Sequence, residues 1–448
     1  MRCFIYYCMK LSKIPKHVHF VGIGGVGQSA LAMHLLKNGY TVSGSDRQNS
    51  PILTKLQKAG ATVYTGHNAA NVGHAGLVVR TSAVGMDNVE VAYAQKHGVS
   101  VILREELLGA IVNKFPIRIA ISGTHGKTTT TAMIHHIAER CGINHAAFIG
   151  GEYEGSNYFH GEETVVAEAC EYNRSFLQLK PTVAVCLNVE YDHPDCYNDL
   201  LDIKSAFFEF VASAWDGVAV LPVELSFMAQ GKVITFGKGG DVYAENVDLR
   251  NGKPSFDLYV EGKYITRIDM SVSGLCNVTN AICAVAVAYS QGYPLLQVAQ
   301  ALSTFGGVYR RWTEYFGKCR IVADYAHHPT EIRSSVDTAL SMSKHVICVF
   351  QPHTYTRTQA FWQRFVECFR GTTVVYLPIF AAREQPIEGV DSLSLANFAV
   401  QCGVDARYAA DFCEACDFVD KAVTSSEDTV LVLGAGDVVD LAYLLQRV

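Results

Sequence analysis

Positive charge is not in surplus in this chain. Its 37 lysines and arginines stand against 43 aspartates and glutamates, a formal net charge of −6. No basic stripe is left to track a phosphodiester backbone, so a nucleic-acid partner is excluded. A long hydrophobic run is missing as well. The apolar stretch Cys3 to Met9 lacks a small-residue cleavage site and gives way at once to Lys10, Lys13 and Lys16. It is too short for a membrane span or a signal h-region. The expectation is a cytoplasmic protein with no membrane partner and a short N-terminal extension, in which Met9 offers a second translation start. Paired cysteines are scarce: of 14 cysteines, only Cys413 and Cys416 form a C-x-x-C, and no second pair lies nearby. The others sit singly in apolar segments such as Ile282-Cys-Ala and Val346-Ile-Cys-Val, as reduced core residues do, and neither zinc nor redox chemistry is assigned to them. No internal repeat or low-complexity tract occurs. What remains is 448 residues, 49% hydrophobic and 18% charged, ordinary for a soluble enzyme of two or three domains.

Against that background, Ala120-Ile-Ser-Gly-Thr-His-Gly-Lys-Thr-Thr129 stands out. An apolar strand meets a glycine turn that ends in Lys127, Thr128 and Thr129. Strand, turn and helix start aim backbone N–H groups at one anion, while a lysine neutralises phosphate and a hydroxyl faces Mg²⁺. The spacing departs from G-x-x-x-x-G-K-[ST], because Ile121 occupies the first glycine position and Gly123 stands three residues before Gly126.

A second glycine loop lies upstream. His17-Val-His-Phe-Val-Gly-Ile-Gly-Gly-Val-Gly27 is a short strand followed by glycines at 22, 24 and 27, the fingerprint of a βαβ unit. Gln28 to Gly39 reads as the helix, Tyr40 to Gly44 as the next strand, and Asp46 stands where a ribose hydroxyl would be bound. Alone, this loop would suggest NAD. A simple dehydrogenase, however, has no use for the triphosphate loop at Lys127.

The chain is expected to be α/β throughout, in three domains with boundaries at 1–115, 116–311 and 312–448. The first alternates strands (Val18 to Ile23, Thr41 to Gly44, Thr62 to Tyr64, Leu77 to Arg80, Val101 to Leu103) with helices, as a Rossmann-like sheet does. Pro116 and Ile117 to Ser122 open the second, a P-loop ATPase-type domain with strands at Thr164 to Glu168 and Thr182 to Asn188. Within it, Gly231 to Ser273 reads as a small antiparallel sheet, followed by a helix from Val278 to Ser290. The third resumes Rossmann-like alternation at Cys319 to Ala323, Val346 to Phe350, Thr373 to Leu377 and Thr429 to Leu433. Two strand ends near the phosphate loop carry further chemistry. Glu168 closes one and could hold Mg²⁺, and Asn188, Glu190, Asp192 and His193 lie just past another, together pointing to a metal and nucleotide site.

These residues resemble the Mur ligases, from about His17 to the C-terminus. The resemblance rests on Val21-Gly-Ile-Gly-Gly-Val-Gly27, Val42-Ser-Gly-Ser-Asp46, Gly123-Thr-His-Gly-Lys-Thr-Thr-Thr-Thr131, Asn188-Val-Glu-Tyr-Asp-His193, Asp324-Tyr-Ala-His-His-Pro-Thr-Glu331 and Phe350-Gln-Pro-His-Thr-Tyr-Thr-Arg357. The Gly-Thr-His-Gly-Lys and Ala-His-His-Pro-Thr-Glu strings are those of the alanine-adding branch. The resemblance implies an ATP-dependent ligase of peptidoglycan precursor synthesis, a monomer or homodimer. It would join L-alanine to the lactyl carboxylate of UDP-N-acetylmuramate through an acyl phosphate, with Mg²⁺ or Mn²⁺ as cofactor.

By the same resemblance, the first domain binds UDP rather than NAD, through Gly24, Gly25, Val26, Gly27, Ser45 and Asp46, with His67 and Ser82 completing the pocket. ATP is held by Gly123, Thr124, His125, Gly126, Lys127, Thr128 and Thr129, with Asn277, Asn280, Arg311 and Asp324 on the nucleotide. Lys127, Glu168 and His193 are the catalytic set, and Thr128, Glu168 and His193 the metal set. Tyr325, His327 and Arg357 surround the alanine, while His328 caps the helix that starts near Pro329. Such a site implies hinge closure on nucleotide binding. The chain departs from the family pattern at Cys276, where histidine is usual, at Thr354 in place of arginine, and at Arg383 in place of glycine. The carbamylated lysine of other branches falls on Phe208, and Lys204 reads as an exposed helix residue. A murein-peptide ligase, a nucleotide-gated binding protein and an NAD-dependent oxidoreductase remain as alternatives.

Overall fold

The largely buried run His17–Val21 forms the central strand of a five-stranded parallel sheet in the computed structural model, which describes residues 14–446. The extension Cys3 to Met9 lies outside the described residues. Thr41–Asp46 and Leu77–Arg80 flank the central strand, and Thr62–Thr65 and Ser100–Leu103 lie outside them. Successive crossovers therefore leave to opposite sides of His17–Val21. The glycine loop at its carboxyl end opens into the crevice that such a switch point creates.

The second sheet has ten strands and places the phosphate-loop strand Ile117–Ser122 between Val183–Cys186 and Thr164–Glu168, all parallel. Parallel register brings the carboxyl ends of these three strands, with Gly123, Glu168 and the Asn188–His193 loop, to one edge. The segment expected as a small antiparallel sheet joins this one and continues it. Lys232–Phe236 pairs in parallel with Val218–Pro222, Phe236 then pairs with Val242, and Val242–Arg250, Lys253–Val260 and Lys263–Asp269 follow antiparallel. Extension covers backbone groups that an edge at Val218–Pro222 would leave unpaired. Phe256 and Leu258 from the extension are buried in one core with Ala281, Ala284 and Val285 of helix Cys276–Ser290.

The third sheet has six strands. Arg320–Asp324, Thr429–Leu433, Val346–Phe350, Thr373–Tyr376 and Asp405–Tyr408 run parallel, and Thr313–Phe316 is an antiparallel edge. The edge strands Thr313–Phe316 and Asp405–Tyr408 were not expected from sequence, nor was the hairpin His145–Tyr153/Ser156–Phe159. Each is short or carries polar residues at positions that alternation alone would leave in a loop.

That hairpin joins the first unit to the second. Asn157 Nδ2 donates to Val26 O (2.7 Å) and Ser29 Oγ (2.9 Å), Lys55 Nζ donates to Gly155 O (3.0 Å), and His34 Nδ1 meets Tyr158 Oη at 2.9 Å. The second and third units meet through Arg357 Nε on Asp192 Oδ1 (3.0 Å), Thr330 Oγ1 on Glu190 Oε2 (2.6 Å) and His328 Nε2 on Tyr191 O (3.2 Å). Among the described residues no helix is long and apolar enough to cross a membrane, and every cysteine is free, Cys413 and Cys416 included.

Candidate active site

Two glycines shape the phosphate loop. Gly126, the residue before helix Lys127–Arg140, has φ +84°, and a Cβ there would lie 2.4 Å from Asn280 Oδ1. Gly123 has φ +141°, with Leu187 Cβ at 2.8 Å from the corresponding position. Both the left-handed backbone and the close packing require glycine. No side chain caps the helix that follows, so its first N–H groups are free to meet an anion.

Lys127 turns back over this loop. Its Nζ donates to Gly123 O (2.6 Å) and Thr124 O (3.0 Å) and pairs with both oxygens of Glu171, at 3.0 and 2.9 Å. Glu171 is 1% exposed and also lies 3.4 Å from His193 Nε2. Burial resists its ionisation, but Lys127 and His193 hold its carboxyl below the usual range. Burial likewise opposes the charge on Lys127, and Glu171 more than reverses this, raising the ammonium pKa. The lysine is therefore cationic and aimed. Glu171 escaped the sequence reading, although the run Glu168-Ala-Cys-Glu171 carried the signal of a second carboxylate in the turn after the strand. His193 is held at φ +54°, a conformation sparsely populated by non-glycine residues and concentrated at functional sites.

Thr128 Oγ1 donates to Glu168 at 3.2 and 3.0 Å, and Gly150 N–H binds Glu168 Oε2 at 2.9 Å. A Cβ on Gly150 would fall 2.2 Å from that oxygen. A hydroxyl and a carboxylate thus converge beside the loop as hard oxygen donors, the set that fits Mg²⁺. His193 does not join them directly; Glu171 stands between it and Lys127.

A cavity of about 260 Å³ on the far side of the loop collects Asn277, Asn280, Arg311 and Asp324, together with His125 and Thr129. The nucleotide set is thus brought together, and Cys276 lines the same cavity. Asn280 Nδ2 donates to Asn277 Oδ1 (3.1 Å), and Asn277 Nδ2 to Ser273 O (2.7 Å). Asp324 Oδ2 accepts from Ser335 Oγ (3.1 Å), and burial raises its pKa.

At the first glycine loop, Gly24 N–H donates to Asp46 Oδ2 (2.9 Å), so Asp46 shapes the loop. A Cβ on Gly27 would lie 2.9 Å from Arg104 Cδ, which places an unforeseen guanidinium against the helix start at Val26. Ser45 and His67 are placed differently from expectation. Ser45 is fully buried and donates to Glu90 Oε2 (2.5 Å), and His67 Nδ1 lies 2.9 Å from Ser45 Oγ and 3.2 Å from Glu90. Burial opposes the charge on Glu90, yet His19 at 3.7 Å and hydrogen bonds from Ser45 and Asn71 bring its pKa to about 2. Ser45 Oγ and His67 Nδ1 are thus both committed to a buried carboxylate. Nothing in the sequence around Glu90 marks it. Ser82 is exposed in the loop after Leu77–Arg80.

Of the expected amino-acid set, Tyr325 and His327 face the main cavity. His327 Nδ1 lies 2.9 Å from Tyr325 O, and burial pushes its pKa down to about 4. Arg357 does not face that cavity: it is 4% exposed and committed to Asp192. The guanidinium of Arg357 is therefore not free for the amino-acid carboxylate that the resemblance assigned to it. Arg310 and Arg311, stacked 4.9 and 4.8 Å over the Tyr325 ring, line the cavity together with Lys55 and Lys127. His328 caps its helix as expected, Nδ1 accepting from Thr330 N–H (3.3 Å). Thr354 precedes helix Tyr355–Ala360 with φ +67°, Arg383 lies over the Tyr172 ring at 4.9 Å, Lys204 is half-buried, and Phe208 is exposed on helix Leu200–Ala212.

All three units contribute walls to the main cavity, about 550 Å³ in volume: Val26 and Ser29 from the first, Lys127, Glu168, Glu171 and His193 from the second, and Tyr325 and His327 from the third. Family models match in the same order. The Mur ligase family catalytic domain covers residues 17–116, the Mur ligase middle domain 121–288, and the Mur ligase glutamate ligase domain 310–436. The UDP-N-acetylmuramate--L-alanine ligase of Clostridium novyi is 39% identical over 439 residues, spanning 94% of this chain and 95% of its own. That of Acetivibrio thermocellus is 39% identical over 442 residues, 94% of each chain. The crystal structure of UDP-N-acetylmuramate-alanine ligase from Thermotoga maritima, 28% identical, superposes with a TM-score of 0.82 over 96% of this chain and 98% of that one. Sequence match along nearly the whole length and one shared architecture agree: the chain belongs to the Mur ligase family.

Proposed function

We propose that this chain is an ATP-dependent ligase that joins L-alanine to the lactyl carboxylate of UDP-N-acetylmuramate. The observation that carries the proposal is one cavity in which helix Val26–Lys37, entered from the first glycine loop, the Lys127 loop and the Tyr325–His327 loop meet. A sugar nucleotide, a triphosphate and an amino acid each find a wall there. The relatives named for this reaction support the choice of substrates.

The chemistry follows from the residues. A carboxylate is a poor electrophile at neutral pH, and attack on the γ-phosphorus of ATP turns it into an acyl phosphate. The alanine amine then attacks the acyl carbon, loses a proton, and inorganic phosphate leaves. Two anions must approach in the first step, so positioning and charge compensation dominate. The free N–H groups before and within the first turn of Lys127–Arg140 hold phosphate, Lys127 Nζ meets the β- and γ-oxygens, and Glu171 keeps that ammonium in place. Thr128 and Glu168 would hold Mg²⁺, or Mn²⁺ in its place, and His193 would serve a second ion. Bound there, the cation would neutralise phosphoryl oxygens. Tyr325 and His327 would orient the amino acid, and the meeting of three units excludes water from the acyl phosphate.

The test is phosphate release from ATP with Mg²⁺ and with UDP-N-acetylmuramate and L-alanine supplied singly and together. Release only with both is expected. Release with the sugar nucleotide and a peptide, but never with alanine, would overturn the acceptor assignment.

A further inference from the structure

We propose that His125, Glu190 and His328 form a transition-metal site, with zinc as the fitting ion, that ties the phosphate loop to the C-terminal unit. The three offer one donor atom each, all within 4.8 Å of one another. His125 Nε2 lies 3.7 Å and His328 Nδ1 4.0 Å from Glu190 Oε2. Tetrahedral ligands with bonds of about 2.0–2.1 Å stand roughly 3.3 Å apart. Closing on an ion therefore asks two of the pairs to draw in by less than about 1 Å, within reach of side-chain rotation.

The surroundings are those of a metal site rather than of a chance cluster. Metal-bound histidines direct their second nitrogen to a carboxylate or a carbonyl, which fixes the ring and leaves the ligating nitrogen free. Both rings here are arranged that way. His125 Nδ1 stands 3.3 Å from Glu331 Oε1, and its Nε2 is shut from solvent without a hydrogen-bond partner. His328 Nε2 gives its proton to Tyr191 O at 3.2 Å, so Nδ1 keeps a lone pair that takes only a long bond from Thr330 N–H. Thr330 Oγ1 steadies Glu190 Oε2 at 2.6 Å.

Two imidazoles and one carboxylate select zinc over Mg²⁺, which prefers oxygen ligands and keeps its waters. The pair Thr128 and Glu168 is a different site with a different donor set. The first two ligands come from the central unit and the third from the C-terminal one, so the ion would hold these units together across the cavity that collects Asn277 and Asp324. Arg364, 4.0 Å from Glu190 Oε2, is the other cation the ion must share this carboxylate with.

Co²⁺ is the probe, added to chelator-treated full-length protein without nucleotide. One equivalent per chain with a tetrahedral visible spectrum is expected, displaced by Zn²⁺ but not by excess Mg²⁺. Glu190→Gln, which keeps the side-chain shape, and His125→Asn should each weaken binding by more than the about ten- to hundredfold that loss of an outer-shell partner costs, with far-ultraviolet circular dichroism unchanged. His193→Ala should leave the spectrum intact. An octahedral spectrum, a tetrahedral one that survives both ligand variants, one lost with His193→Ala, or no stoichiometric uptake would each overturn the proposal.

Discussion

Replacing Asp192 with asparagine would orphan a buried guanidinium. Arg357 Nε stands 3.0 Å from Asp192 Oδ1, and the two side chains are 5% and 4% exposed. Asparagine is isosteric and can still accept the 2.7 Å bond that His193 N–H donates to Oδ1, so the turn survives and only the charge is lost. Burial opposes ionisation of Asp192, but His193 and Arg357 hold its carboxyl well below the usual carboxylate range. A depressed carboxyl contributes stability that is complete above its unfolded pKa, about 3.9, and is lost as pH falls towards the folded value. The parent should therefore show no pH dependence from this group near neutrality. Breaking a buried pair from one side costs about 3–5 kcal/mol, because the remaining charge stays uncompensated. At about 1.4 kcal/mol per factor of ten, this is roughly two to three and a half orders of magnitude against the seated C-terminal unit. Urea unfolding together with small-angle scattering of the ligand-free protein measures it: an early transition and a larger radius of gyration are expected. Asp192→Asn with Arg357→Met should recover most of the loss, since no charge is then stranded. If Asp192→Asn leaves both the urea midpoint and the radius unchanged, the pair does not hold the units and the reasoning fails.

Glu171→Gln removes the charge that holds Lys127 and His193, and a hydrogen bond to a charged group contributes about 1.5–3 kcal/mol; kcat/KM for ATP should fall about ten- to a hundredfold, and unchanged steady-state kinetics would refute a positioning role. Gly126→Ala must place a Cβ 2.4 Å from Asn280 Oδ1 at φ +84°; a loss of more than about 1 kcal/mol in stability and of ATP binding by calorimetry is expected. His135, 1% exposed and stacked 3.8 Å from Phe159, is held neutral by burial and by the neighbouring His145, its pKa lowered to about 3. The unfolded chain binds the proton first, so the stability from this group is complete above about pH 6.5 and erodes by about 2 kcal/mol on going to about pH 5. Tm should drop across that interval, and His135→Phe should flatten the slope; an equal slope in both proteins would count against it.

The two glycine loops were legible because each is a local pattern: apolar strand, glycines at fixed offsets, helix start. Glu168 and His193 were legible for a related reason, since parallel strands carry whatever follows them to one edge. Glu90 and Glu171 escaped in different degrees. Glu171 follows Glu168 by three residues, and only the turn after the strand brings it under Lys127. Glu90 sits on helix Val89–Lys96 beside the buried Val91 and Ala94, and only the approach of Ser45, His67 and Asn71 from elsewhere in the chain gives it partners. Arg357 shows the converse case. A motif placed it near the amino acid, but motif spacing carries no information about Asp192, 165 residues away in the chain. The antiparallel segment was legible as strands but its joining to the larger sheet was not, because alternation reports a strand's faces and not its neighbour.

A carboxylate buried beside a phosphate site looks self-defeating, since two unit charges about 4 Å apart interact by roughly 4 kcal/mol at an effective dielectric constant of 20. Glu168 and Glu171 both face the cavity that Lys127 enters, so the lysine alone does not make this pocket positive. The cost is accepted because an ammonium on a flexible stem is otherwise free to leave, and the three acceptors on Lys127 fix it where the phosphate must come. The pocket then matches a nucleotide accompanied by its cation better than a bare polyanion, and Thr128 and Glu168 stand on the side where that cation would lie. Glu90 plays the parallel part behind the first loop, fixing Ser45 and His67 under the Asp46 strand end. In both places a buried acid trades electrostatic attraction for geometry, which suits a reaction whose barrier is the approach of two anions.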